Sequence, residues 1–171
     1  MNLEYKHLLD PDFHPSSRVW IYQSSRLFSL GEALEIETIL QDFQSQWQSH
    51  GADVKNELHL LFGLFIVFIA DETHTTVGGC STDSSVRVVK EIENKFGVSL
   101  LDRQTLAFLI NEKTELLPMA QMPYALEKGF LKSNTIYFNN LVATKKELEE
   151  NWMIPVSQSW LASRFTAITS A

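Results

Sequence analysis

One cysteine in 171 residues rules out an intramolecular disulfide. Whatever holds this chain folded is packing and not covalent stapling, and a reducing compartment is the expected setting. Basic residues are in deficit, 14 Lys and Arg against 21 Asp and Glu, for a formal net charge of −7. A field of that sign repels phosphate backbones, and the Lys and Arg are scattered without a run, so no nucleic acid partner is expected. The longest apolar run, Leu64 to Ala70 (LFIVFIA), is far shorter than the roughly 20 residues a bilayer-spanning helix needs. The N-terminus, MNLEYKHLLDPDFHP, has neither the basic start nor the apolar core of a signal peptide. The expectation is a cytoplasmic protein with no membrane partner. Motifs that carry chemistry are missing as well: there is no G-x-x-x-x-G-K-[ST] loop, no C-x-x-C and no H-E-x-x-H, so no cofactor is expected.

What is present is an ordinary globular composition, 44% apolar and 20% charged. The length suits one domain over residues 1–171. Within it the pattern divides into an irregular N-terminal arm (1–17), a βαββαβ core (18–117) and a C-terminal extension (118–171). Arg18–Gln23 (RVWIYQ) has the β-formers of a strand. Ser29 and Glu32 have capping-box spacing, and behind them Ile36, Leu40, Phe43 and Trp47 recur at helical period. Gly51 stands where a left-handed residue would close that helix. From Val54 to Asp71 the period changes to two, which predicts a hairpin turning near Gly63, its second strand covered on both faces.

A loop, Glu72 to Thr82, then leads to a helix from about Ser84 to Phe96, with Val86, Val89, Ile92 (or Glu93) and Phe96 as its stripe and Gly97 as its stop. Leu106–Ile110 and Glu115–Leu117 are the next strands. A short helix around Tyr124–Phe130, a strand at Thr135–Asn139, a second capping box at Thr144–Glu147 and a terminal helical turn (SQSWLASRF) follow. The order strand, helix, strand, strand, helix, strand is that of an α+β, ferredoxin-like split βαβ core, with two helices on one face of an antiparallel sheet.

The segment GGCSTDSSV (78–86) carries the main functional question. Asp83 is the residue best placed to cap the helix, its carboxylate at the positive end of the dipole. The functional alternative is an anion site on Ser81, Asp83, Ser84 and Ser85 at the helix amides. Cys80, with His74 six residues upstream, is a candidate thiol nucleophile. Asp71, Glu72, His74, Cys80 and Asp83 have the ligand types of a metal site but match no zinc spacing, with Asp71 and His74 the residues to watch. Trp152, Trp160 and Phe165 crowd the C-terminus. They either lock the extension down or offer an anchor surface to a protein partner. Asn139–Asn140 reads as a turn or an amide clamp.

With GGCSTDSSV, WIYQSSR, NNLVATKKELEENW and IPVSQSWLASRF, the chain resembles, over nearly its whole length, a family of small bacterial proteins of the Bacteroidota type that often carry the label "ABC transporter ATPase". The resemblance implies no assigned activity. Nor do the residues fit the label: neither a phosphate-loop lysine nor an LSGGQ-like signature is present. The reading is therefore a non-catalytic protein-interaction or ligand-binding module, with self-association through the sheet as a fold-level expectation. The competing reading is a small enzyme or an anion or thiol sensor built on residues 71–85.

Overall fold

The computed structural model describes residues 4–165; residues 1–3 and 166–171, at the ends of the expected arm and extension, lie outside them. The chain is α+β with antiparallel sheets. Strand β1 (Arg18–Gln23) leads through Ser29 to helix α1 (Leu30–Gln46). The capping box is formed: the Ser29 hydroxyl accepts the Glu32 amide, and the Glu32 carboxylate accepts the Ser29 amide. Arg26 grips the same carboxylate with two guanidinium nitrogens, and this pairing is the main reason the acid is pulled down to about 2. Arg26 also donates to the Phe96 carbonyl, so one side chain ties the start of α1 to the end of the second long helix.

Helix α1 stops at Trp47 and not at Gly51. Residues 48–53 form a miniature hairpin, β2 (Gln48–Ser49) and β3 (Ala52–Asp53), turned by His50 and Gly51 at positive φ. Gly51 is left-handed as expected, but it serves that turn. The long hairpin β4 (Lys55–Leu61) and β5 (Phe65–Asp71) follows, turning at Phe62–Gly63. Helix α2 (Gly79–Phe96) ends at Gly97, φ 61°, in the left-handed stop the sequence predicts.

The first sheet has the order β1-β5-β4, antiparallel throughout. Every residue of β5 is buried, as its unbroken apolar run requires of a central strand with both faces covered. These three strands and α1 have the connectivity of a split βαβ. The next strand, β6 (Thr105–Ile110), does not join them. It pairs with β7 (Lys113–Pro118) and with β8 (Ile136–Phe138), and β9 (Met153–Pro155) completes a second sheet of order β7-β6-β8-β9. The outer edge of β1 is met instead by the segment after β8: the Val19 amide donates to the Ala143 carbonyl, and Arg18 bridges Thr144.

Three apolar clusters define the layers. Ile36, Leu40, Phe68, Val89 and Ile92 fill the space between α1, α2 and one face of the first sheet. Ile21, Phe65, Val67 and Ile69, on the opposite face, pack with Ala107 and Phe138 of the second sheet. The outer face of the second sheet, with Leu106 and Phe108, is covered by α3 (Met122–Glu127), the Val156 turn and α5 (Leu161–Arg164). The arrangement is helix, sheet, sheet, helix. Helix α4 (Lys145–Asn151) carries the second capping box, Thr144 with Glu147, and delivers Trp152 to the space between the sheets. The arm closes that space from the side with Tyr5, Leu9 and Phe13.

Trp152 is fully buried against Tyr5, Phe62, Phe65 and Phe138. Trp152→Ala is expected to cost about 3–5 kcal/mol in urea unfolding, the range for an aromatic removed from a close-packed core. Glu112, by contrast, sits at φ 61° in an exposed hairpin turn, where a side chain costs about 1–2 kcal/mol. Glu112→Gly should raise stability by about 0.5–1 kcal/mol after the entropy of the freer unfolded chain is subtracted.

Candidate functional site

The 71–85 segment folds differently from its sequence reading. Helix α2 begins at Gly79 with Gly78 as its N-cap, and no side chain caps it. Asp83 lies inside the helix and is exposed, so it does not occupy the helix tip. The reason is that the hydroxyls on this stretch are satisfied within the helix or by the miniature hairpin. Thr82 donates to the Gly78 carbonyl, Ser84 to Cys80 and Ser85 to Thr82, the back-bonding that Ser and Thr adopt in helices. Ser81 is buried and donates to the Gln48 carbonyl, while its own carbonyl accepts the Trp47 indole N–H. Ser81 and Ser85 are thus internal stitching. A Cβ at Gly78 would lie 2.7 Å from His50 Nε2, the tip of an exposed side chain that can swing aside.

The metal-type residues do not converge. Among the described residues no three His, Cys, Asp or Glu side chains form a group that could hold an ion. Glu72 accepts the Val77 amide and shapes the loop; His74 is exposed. Asp71 is buried and fully engaged. One oxygen accepts the Thr73 amide and hydroxyl; the other accepts the His14 amide and Lys55 Nζ. Burial alone would raise its pKa, but these donors together outweigh it and hold the carboxyl well below the aspartate range. Glu57, also buried, accepts the Asp10 amide in the same way. Two carboxylates on the sheet therefore strap down an arm that has almost no regular structure of its own.

The three C-terminal aromatics differ in burial. Trp152 is core and presents no surface. Trp160 is half-buried and donates its indole N–H to the Tyr137 hydroxyl, and Phe165 packs partly buried on the outer cluster. Asn140 is the amide clamp. Its Oδ1 accepts the Trp152 indole N–H, its Nδ2 donates to Gln23 Oε1, and Gln23 Nε2 donates to the Thr105 carbonyl.

Exposed aromatic surface lies elsewhere. Tyr124 and Phe130 are 58% and 62% exposed, with ring centroids 6.4 Å apart. They overlook a groove of about 600 Å³ between β7 and α3, floored by Ile110, Leu117 and Ala125 and flanked by Lys113 and Glu115. Sequence reading missed these two residues because both fell inside one short predicted helix. Met122 and Ala125 are the buried residues of α3, and that stripe would have put Tyr124 on the outer side. No family model, no curated protein and no solved structure matches the chain.

Two outcomes check this account. Asp71→Asn should lower stability at pH 7 by about 1–3 kcal/mol, because buried donors lose a charged acceptor. The folded pKa lies below the unfolded value near 4, so the clamp contributes fully above that pH and loses its contribution as pH falls towards the folded value. The variant should accordingly show a flatter fall of stability below about pH 4. Cys80 is exposed, and the native protein should release one equivalent in a thiol assay without denaturant; a thiol seen only after unfolding would contradict the placement.

Proposed function

We propose that this protein is a non-catalytic interaction module whose docking surface is the groove between β7 and α3. The observation that carries the reading is the pair Tyr124 and Phe130, two large rings left in solvent beside one concave apolar surface. Aromatic side chains confer much buried area at low entropic cost and dominate binding hot spots. An exposed pair over a leucine and isoleucine floor suits an apolar anchor side chain of a protein segment. Lys113 and Glu115 on the flank favour a segment with charges of both signs beside that anchor.

The competing reading, an enzyme or thiol sensor on residues 71–85, rests on Cys80 and the start of α2. Its best support is that Cys80 is exposed near an uncapped helix end. It lacks a base: His74 is exposed on the loop, with no hydrogen bond to the thiol. Asp71, Glu72, Thr73, Ser81, Thr82, Ser84 and Ser85 direct their side chains to bonds within the fold. The three strands and helix of the first half are compatible with a ferredoxin-like ancestry in which the fourth strand was drawn into a second sheet.

Selection of displayed random peptides against the whole protein provides the test. Peptides with an apolar anchor should be recovered with micromolar affinity. Binding should fall at least about tenfold when Tyr124 and Phe130 are both replaced by serine, the loss of two ring contacts. The melting temperature should not drop, since both rings are exposed. Retained affinity in that double variant would reject the groove.

A further inference from the structure

Most of the large apolar side chains left exposed among the described residues belong to two features. Tyr124 and Phe130 rim the β7–α3 groove. Leu27, Leu30 and Leu34, which are 53%, 79% and 58% exposed, gather at the start of α1. Leu30 is the first residue of that helix and Leu34 follows one turn later, so the two share a face. The core face of α1, marked by the buried Ile36 and Leu40, lies roughly a third of a turn away around the axis. The fold itself therefore makes no use of the leucine ridge. Helix propensity does not call for it either, since glutamine or lysine would serve an exposed turn as well. A single exposed leucine is ordinary surface, whereas three so close together form a patch.

Ridge and groove also complement each other in charge. Helix α1 carries Glu32, Glu35, Glu37 and Asp42 and has no Lys or Arg. Arg26 holds Glu32, and Lys95 holds Glu35. Glu37 has no ion pair or hydrogen bond among the described residues, and it stands three residues beyond Leu34, on the ridge's side of the helix. The groove offers the counterpart in Lys113, whose ammonium is also without an ion pair among the described residues. Glu115, the other charge on the flank, suits the opposite end of the ridge, where Arg26 is half-exposed and the α1 dipole is positive. The distances agree. Leu30 to Glu37 spans about 10 Å of helix, and Lys113 to Glu115 about 7 Å of strand, a difference within side-chain reach.

We propose that the partner of the groove is a second copy of this chain: Leu30 and Leu34 of one copy enter the β7–α3 groove of the next, and Leu27 packs against the Tyr124 and Phe130 rings. The inference rests on the groove reading above and names its occupant. A helix that lays leucines at i and i+4 into an apolar groove is a recurrent mode of recognition. Pairing of ridge with ridge about a two-fold axis fits less well, because it sets one acidic helix against another. Ridge and groove lie in opposite outer layers of the helix, sheet, sheet, helix stack. A copy that gives its ridge therefore keeps its groove open, and the contact builds open head-to-tail chains. With five large side chains at its centre the interface belongs to the small, weak class, below about 1,200 Å². The net charge of −7 on each copy opposes encounter at low salt and is screened beyond about 8 Å at physiological ionic strength.

Sedimentation equilibrium of the whole protein at physiological salt, from micromolar to about 1 mM, reads the assembly. The wild type should gain mass with concentration and pass beyond the dimer. Two double variants follow: Leu30→Gln with Leu34→Gln removes the ridge at little cost in helix propensity, and Tyr124→Ser with Phe130→Ser removes the groove rim. Each should associate at least about tenfold more weakly, at an unchanged melting temperature because all four positions are exposed. The decisive sample is an equimolar mixture of these two variants. One brings an intact groove and the other an intact ridge, so the mixture should form a one-to-one complex at the wild-type affinity and grow no further. A wild type that stays monomeric at about 1 mM overturns the proposal; if selected peptides still bind through Tyr124 and Phe130, the groove reading survives its loss. Assembly that halts at a dimer, self-association undiminished in either variant, or a mixture that forms no complex overturns it as well.

Discussion

Trp152 meets rings from four separate parts of the chain: Tyr5 of the arm, Phe62 of the β4–β5 turn, Phe65 of the central strand and Phe138 of the second sheet. The rest of the structure is arranged around that junction. Phe62 shows its strength best. A bulky residue at φ 57° pays about 1–2 kcal/mol of backbone strain. It nevertheless stays there, because the left-handed turn swings its ring into stacking range of Trp152, 5.8 Å between centroids and 18° between planes. Each such aromatic pair contributes about 0.5–1.5 kcal/mol beyond the area it buries, so several pairs outweigh one strained residue. The only polar atom of the indole is met by Asn140, and the chain Trp152–Asn140–Gln23–Thr105 then links the first sheet to the second through three hydrogen bonds.

Local signals in the sequence survived folding where one residue type had one physical outlet. Ser29 with Glu32 and Thr144 with Glu147 are both formed capping boxes, since the serine or threonine and the glutamate satisfy each other whatever the tertiary context. The run LFIVFIA is a strand buried on both faces, and Gly97 is the left-handed stop of α2. The start of α2 was not legible for the complementary reason. A stretch of Ser, Thr and Asp can cap a helix or bond back into it, and propensity alone does not choose. The choice was made from outside, by the Gln48 carbonyl and the Trp47 indole fixing Ser81 and by Ser49 accepting the Gly78 amide.

The destination of β6 was hidden at longer range. Its pattern, Leu106, Phe108 and Ile110 against Ala107 and Leu109, states only that both faces are apolar. The order of elements then favoured the open edge of β1. What claims that edge is the segment around Ala143 and Thr144, positioned by Trp152 more than a hundred residues from β1. Trp152 itself read equally well as an anchor for a partner or as core, because a tryptophan near a chain end carries no local sign of which it is. The exposed pair Tyr124 and Phe130 was the reverse case, two aromatics inside a predicted helix whose outward side shows only once Met122 and Ala125 are known to face inward.

The Asn140 clamp sits beside that ring cluster. Gln23 of β1 and Asn140 hold the two sheets together at their edge, and the Tyr137 hydroxyl of the second sheet is tethered to Trp160 of the C-terminal turn. The contact between the sheets therefore joins these polar bonds to an apolar layer of rings and aliphatic side chains, Ile21, Val67 and Ile69 against Ala107 among them. The β7–α3 groove lies on the outer face of the second sheet, beyond that junction. Docking in the groove leaves the sheet–sheet contact untouched, so the groove and the α1 ridge, in opposite outer layers, can be occupied at the same time unless the second sheet itself is displaced.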